Sequence, residues 1–258
     1  MSAQRLMPGT ARSMSMSTAT SDWMSLRSRL LAAGRWSARQ VRLVFDVRAN
    51  PATFIYLVTL VITSVVIRAA GARVAGALLR TQSTNLANLG HDPIHVLVSS
   101  AFWLGQSPKP LGLILPFALI LAPAERWLGT GRSVAIFSIG HVVATAVTAV
   151  VIAVELRVGW ASQSLLHTVD VGYSYGFAAV AGVLAYRLPS RWRALYATAG
   201  YALLGVGMLG GVTFTDVGHL VAWTIGLAGW WLVPKAALPA APSPVAPPTT
   251  PRELVAAG

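Results

Sequence analysis

Six apolar segments constrain this chain more than any motif in it. They cover residues 52–67, 111–124, 133–154, 169–186, 192–212 and 214–233. A helix needs about 20 residues to cross a hydrocarbon core of about 30 Å, and it is one of the few structures that pairs all its own backbone groups there. The segment at 111–124 is the shortest and carries Pro116 and Pro123, each of which removes a backbone donor from a helix interior. A further apolar stretch, HVLVSSAFWLG at 95–105, is too short to span and predicts an interfacial helix inside a long first loop. The chain is 55% hydrophobic and 11% charged, against roughly 25% charged in soluble domains. The expected fold class is therefore an all-α membrane protein, a bundle of six transmembrane helices over residues 51–233.

Charge placement orients the bundle. With both termini on one side, fifteen of the 20 Lys and Arg fall on that side and five on the other. The positive-inside rule then puts the N- and C-termini in the cytoplasm, with the Ala-, Val- and Arg-rich composition pointing to a bacterial plasma membrane. The net charge of +12 does not imply a nucleic-acid partner, because the basic residues flank apolar runs, where they meet anionic lipid. Residues 1–50 form a basic tail with Asp22 and Asp46 as its acids and an interfacial helix expected around residues 23–47. No apolar core precedes a small-residue cleavage site there, so a cytoplasmic tail is expected rather than a signal peptide. The Pro- and Ala-rich residues 234–258 cannot build a core and are expected to be disordered.

The sequence GYSYG at 172–176 fits the G-x-S-x-G pattern of a hydrolase nucleophile elbow. An elbow needs a strand, a sharp turn and a helix, whereas Ser174 opens an apolar helical run, so that assignment fails. A lone Ser in such a run is ordinarily a small residue at a helix contact. His219 in FTDVGHLVAWTIGLAG alters the balance, since an intramembrane His marks a functional site by default. Ser174 and His219 each lie about five residues inside the outer ends of their segments, roughly 7 Å deep by helix rise. Equal depth is what a general base and its nucleophile require.

Three features resemble the rhomboid family of intramembrane serine proteases. AERWLGTGR at 124–132 is similar to the family's E-R-x-x-G segment. Gly172-Tyr173-Ser174 matches the G-x-S that opens the fourth span, and His219 with Gly226 matches the sixth-span His and helix-packing Gly. The resemblance implies six spans, Ser174 as nucleophile, His219 as general base, no cofactor, and transmembrane-helix proteins as substrates. Three positions depart from the family. Tyr175 replaces a Gly after the serine, and Ala178 replaces an aromatic that packs on the histidine. The oxyanion-donating His and Asn of the second span would fall near residues 109–112 and 115–116, where neither occurs. The Ser174 N–H and Ser99, Ser100 or Gln106 are the available replacements. The same departures fit a catalytically silent relative that binds transmembrane clients for trafficking or quality control. A small transporter lacks support, because no pair of broken spans marks inverted repeats.

Asp170 and Asp216 stand at i−4 to Ser174 and i−3 to His219, placed to orient the pair or to cap their helices. Capping is the simpler role, since a carboxylate suits the positive end of a helix. His141, about nine residues inside its segment, is expected some 10 Å below the pair, in a neutral interhelical hydrogen bond. His91, His95, His141 and His219 share no metal-ligand spacing, and the absence of cysteine excludes disulfides and thiolate sites.

Overall fold

A computed structural model describes residues 46–105 and 110–235, which contain helices and turns and no strand. Helix α1 (Pro51–Ala69) leads into a first loop built from α2 (Gly71–Thr81), α3 (Leu86–His91) and α4 (Pro93–Ser100). Helices α5 (Pro110–Leu128) and α6 (Thr130–Arg157) follow, then α7 (Tyr173–Val183), which continues as a 3-10 turn over Leu184–Arg187. The last two are α8 (Ser190–Gly207) and α9 (Phe214–Ala228). Each of the six apolar segments coincides with one of α1, α5, α6, α7, α8 and α9. By length and composition, α1 and α6 qualify as membrane-crossing helices. Pro116 and Pro123 sit within α5 without ending it.

The E-R-x-x-G segment ties the first helices together. Glu125, 1% exposed, accepts hydrogen bonds from the backbone N–H groups of Ala52 (3.0 Å) and Thr53 (2.8 Å) and from the Thr130 hydroxyl (2.8 Å). Its carboxylate thus satisfies two of the donors that the first turn of α1 leaves unpaired, at the positive end of the helix dipole. Arg126 Nε donates to Asn50 Oδ1 at 3.0 Å. Gly129 then turns the chain from α5 into α6 at a φ of +85°, a region where a Cβ would be strained.

Helices α6, α7 and α9 pack most intimately on one another. A Cβ at Gly226 of α9 would collide with the carbonyl of Ala179 on α7. That glycine is the helix-packing residue expected from the sequence, and it brings the two backbones together where apolar driving force between helices is weak. Helix α8 lies outside this core and buries none of its residues.

The stretch at 95–105 does form a helix, but one held in the bundle. Tyr56 of α1 donates to the Ala101 carbonyl at 2.9 Å and Thr63 to the Phe102 carbonyl at 2.8 Å. The interfacial helix expected around residues 23–47 and most of the Pro/Ala-rich tail lie outside the described residues.

Candidate functional site: a serine and a histidine joined across two helices

Ser174 is the second residue of α7, and His219 lies in the second turn of α9. The Ser174 hydroxyl stands 2.8 Å from His219 Nε2, and both residues are half-buried. Close backbone approach makes this contact. Besides the Gly226–Ala179 crossing, Gly218 leaves room for the Tyr175 ring, which any side chain there would strike.

Tyr175 is a site residue that the motifs do not reveal. Its ring is 0% exposed and meets the His219 imidazole edge-to-face, with centroids 5.2 Å apart and planes at 71°. The family resemblance implies an aromatic on the histidine from position 178, one turn beyond the serine, where this chain has Ala178. Here it comes from the position directly after the serine, about 100° around the helix. Ala178 joins the same buried cluster as Tyr175. An aromatic flanking Ser174 was the available signal, and only the rotation of α7 against α9 assigns it this contact.

Asp170 supports Tyr175. The segment expected to begin as helix at residue 169 instead stays non-helical until Tyr173, because Asp170 is held by the first loop. Its N–H donates to Ser83 Oγ at 2.7 Å, and its carbonyl accepts from the Ser83 hydroxyl at 3.1 Å and the Thr84 N–H at 2.9 Å. The carboxylate accepts from the Tyr175 hydroxyl at 3.4 Å to each oxygen and from the Thr84 hydroxyl at 3.4 Å. Asp170 therefore does not cap α7, whose N-terminus has no side-chain cap. It reaches His219 only through Tyr175.

Asp216 is a cap. Its Oδ2 accepts from the Thr213 N–H at 2.8 Å and hydroxyl at 2.7 Å, while Thr213 Oγ1 accepts the Asp216 N–H at 3.3 Å. This reciprocal box turns the carboxylate back toward the helix start.

His141 departs from its expected depth. Its ring lies against Gly172, two residues before Ser174, in the space a Cβ would occupy. The count along α6 misjudged its level because α6 runs for 28 residues, longer than a perpendicular span needs. His141 Nε2 stands 2.8 Å from the Leu97 carbonyl and 3.3 Å from Ser100 Oγ, so its hydrogen bonds join α6 to α4. A carbonyl can only accept, so Nε2 carries the proton shared with Leu97. The Ser99 hydroxyl is buried and finds no partner among the described residues. Gln106 lies outside them.

A family model described as rhomboid-like protein matches residues 45–237, which include all six long helices and the first loop. This chain belongs to the rhomboid-like family. No curated protein and no solved structure matches it. The all-helical rhomboid-like fold and the two apolar helices α1 and α6 together mark an integral membrane protein.

Proposed function

We propose that this rhomboid-like protein is an intramembrane serine protease that hydrolyses peptide bonds of transmembrane-helix proteins, with Ser174 as nucleophile and His219 as general base. The 2.8 Å contact between Ser174 Oγ and His219 Nε2 carries this reading. With its proton on Nδ1, the imidazole presents a bare Nε2 to the serine hydroxyl. As Oγ bonds to the substrate carbonyl carbon, Nε2 takes the hydroxyl proton, and the imidazolium then returns it to the departing amine. Water, deprotonated by the same nitrogen, hydrolyses the acyl-enzyme. The edge of Tyr175 holds the imidazole plane throughout.

The developing oxyanion needs donors. Ser174 lies in the first turn of α7, where backbone N–H groups have no intrahelical acceptor and the dipole is positive, so its own N–H supplies one. Losing one such donor typically costs about 10²–10³ in rate. Residues 109–116 contain neither His nor Asn, so proteolysis is slow. The proposed setting is six spans with both termini cytoplasmic, the pair facing the outer side. No cofactor takes part.

That gap in 109–116 also favours a second reading, a catalytically silent protein that binds transmembrane helices as clients. Labelling of the purified protein with a fluorophosphonate, beside cleavage of a transmembrane substrate, separates the two. The protease reading expects both in the wild type and neither in Ser174→Ala or His219→Ala, with the fold retained. Cleavage undiminished in Ser174→Ala would remove the serine from the mechanism. A wild type that neither labels nor cleaves, yet co-purifies with transmembrane helices, establishes the client-binding reading.

A further inference from the structure

A cavity of about 470 Å³ lies among α1, α4, α5 and α6, with Val180 of α7 also in its wall. Its wall is almost wholly apolar, with Tyr56, Ala101, Leu121 and Phe137 on the floor. The mouth is marked by exposed residues of three elements: Ile55 on α1, Val98 on α4, and Val134, Ser138 and Val142, a stripe spaced four residues apart on α6. The two helices flanking that mouth are α1 and α6, the pair long and apolar enough to cross a membrane. The cavity therefore opens toward hydrocarbon.

Volume decides what fits. An apolar cavity of about 150 Å³ admits one benzene, so this one has room for about eighteen carbons. A second helix, at least about 10 Å across, would fill it within little more than one turn. A single flexible hydrocarbon chain matches the space. Polarity then orients the chain. At the α6 N-terminal end lies Ser133, buried, its hydroxyl without a hydrogen-bond partner among the described residues. Glu125 at the same end is already engaged by Ala52, Thr53 and Thr130. An ester carbonyl next to an acyl chain would satisfy the Ser133 donor, which is costly to bury unpaired. Ser133 directly follows the basic Arg132, the side on which lipid headgroups would lie. From Ser133 to His141 the wall rises about 12 Å along α6.

We propose that this cavity is a lipid site, holding one acyl chain of a membrane glycerolipid with its ester carbonyl at Ser133. The site rests on the chain lying in a bilayer and is independent of the chemistry assigned to Ser174.

The test uses the full chain in phosphatidylglycerol nanodiscs carrying a trace of the same lipid with a diazirine in one acyl chain. The protein is moved into probe-free detergent, irradiated, and its adducts mapped. Retained lipid should label residues 97–102 and 133–142 and spare the outward residues Leu195 and Leu203 of α8. Ser138→Phe and Val142→Trp fill the mouth from exposed positions, so both should fold, as a melting curve will report. Each should lose the adducts, whereas Ser174→Ala should keep them whether or not the protein is a protease. Adducts that are absent, spread evenly over α8, or unchanged in both filled variants overturn the lipid site.

Discussion

Tyr175 does two jobs with two parts of one side chain. Its ring edge fixes the His219 plane, and its hydroxyl reaches the Asp170 carboxylate. Substitutions separate them. Tyr175→Phe keeps the ring and loses only the hydroxyl contact, at about 0.5–1.5 kcal/mol, the usual net worth of a hydrogen bond. Fluorophosphonate labelling of Ser174 should stay near wild type in that variant. Tyr175→Ala opens a cavity in a fully buried position, costing about 3–5 kcal/mol as large aromatics do, and frees the imidazole. Labelling should fall sharply there, and equal labelling in the two variants would refute a positioning role for the ring.

Among the elements, the short α7 depends on its neighbours for position. Ser83 and Thr84 of the first loop hold the non-helical approach at Asp170, and α9 presses on α7 through Gly226. Gly226→Val should drive α9 away from the Ala179 carbonyl and separate His219 from Ser174. The expected result is loss of fluorophosphonate labelling together with a large loss of melting temperature, because the atoms that a side chain would meet there are backbone. Labelling preserved in Gly226→Val would mean that the crossing does not set the pair. A second clamp is Glu125. Replacing it by Ala leaves the α1 N–H groups of Ala52 and Thr53 buried without their acceptor, at about 1–3 kcal/mol for such desolvated groups. The melting temperature of Glu125→Ala should drop clearly below that of the wild type, and an unchanged value would argue that α1 is held by packing alone.

At the scale of the whole molecule, orientation in the bilayer follows from charge. In the proposed six-span arrangement, the side that would hold both tails has fifteen of the 20 Lys and Arg, a bias that directs topology when the charges lie near span ends. A reporter fused after Val233 should behave as cytoplasmic. A reporter that is exported there would remove the six-span arrangement and turn the serine–histidine pair to the other face.

The sequence by itself determined the helical class, the six apolar segments, and the two residues that meet. These follow from the cost of an unpaired backbone in hydrocarbon and from counting residues along a helix. Both constraints act on one segment at a time, so they are legible without a partner. Ser174 and His219 could be matched in depth because each lies near the start of its own helix, where little counting error accumulates. His141, far along the 28-residue α6, was misplaced by the same count. Rotation about a helix axis and the angle between helices were decided only by tertiary contact. Weak apolar forces between helices in lipid leave these to individual close approaches such as Gly226 on Ala179. The assignment of Tyr175 to His219, of Asp170 to Tyr175, and the cavity beside α6 all belong to that second kind. Each joins residues on different elements, and no periodicity along one element records which neighbour it will face.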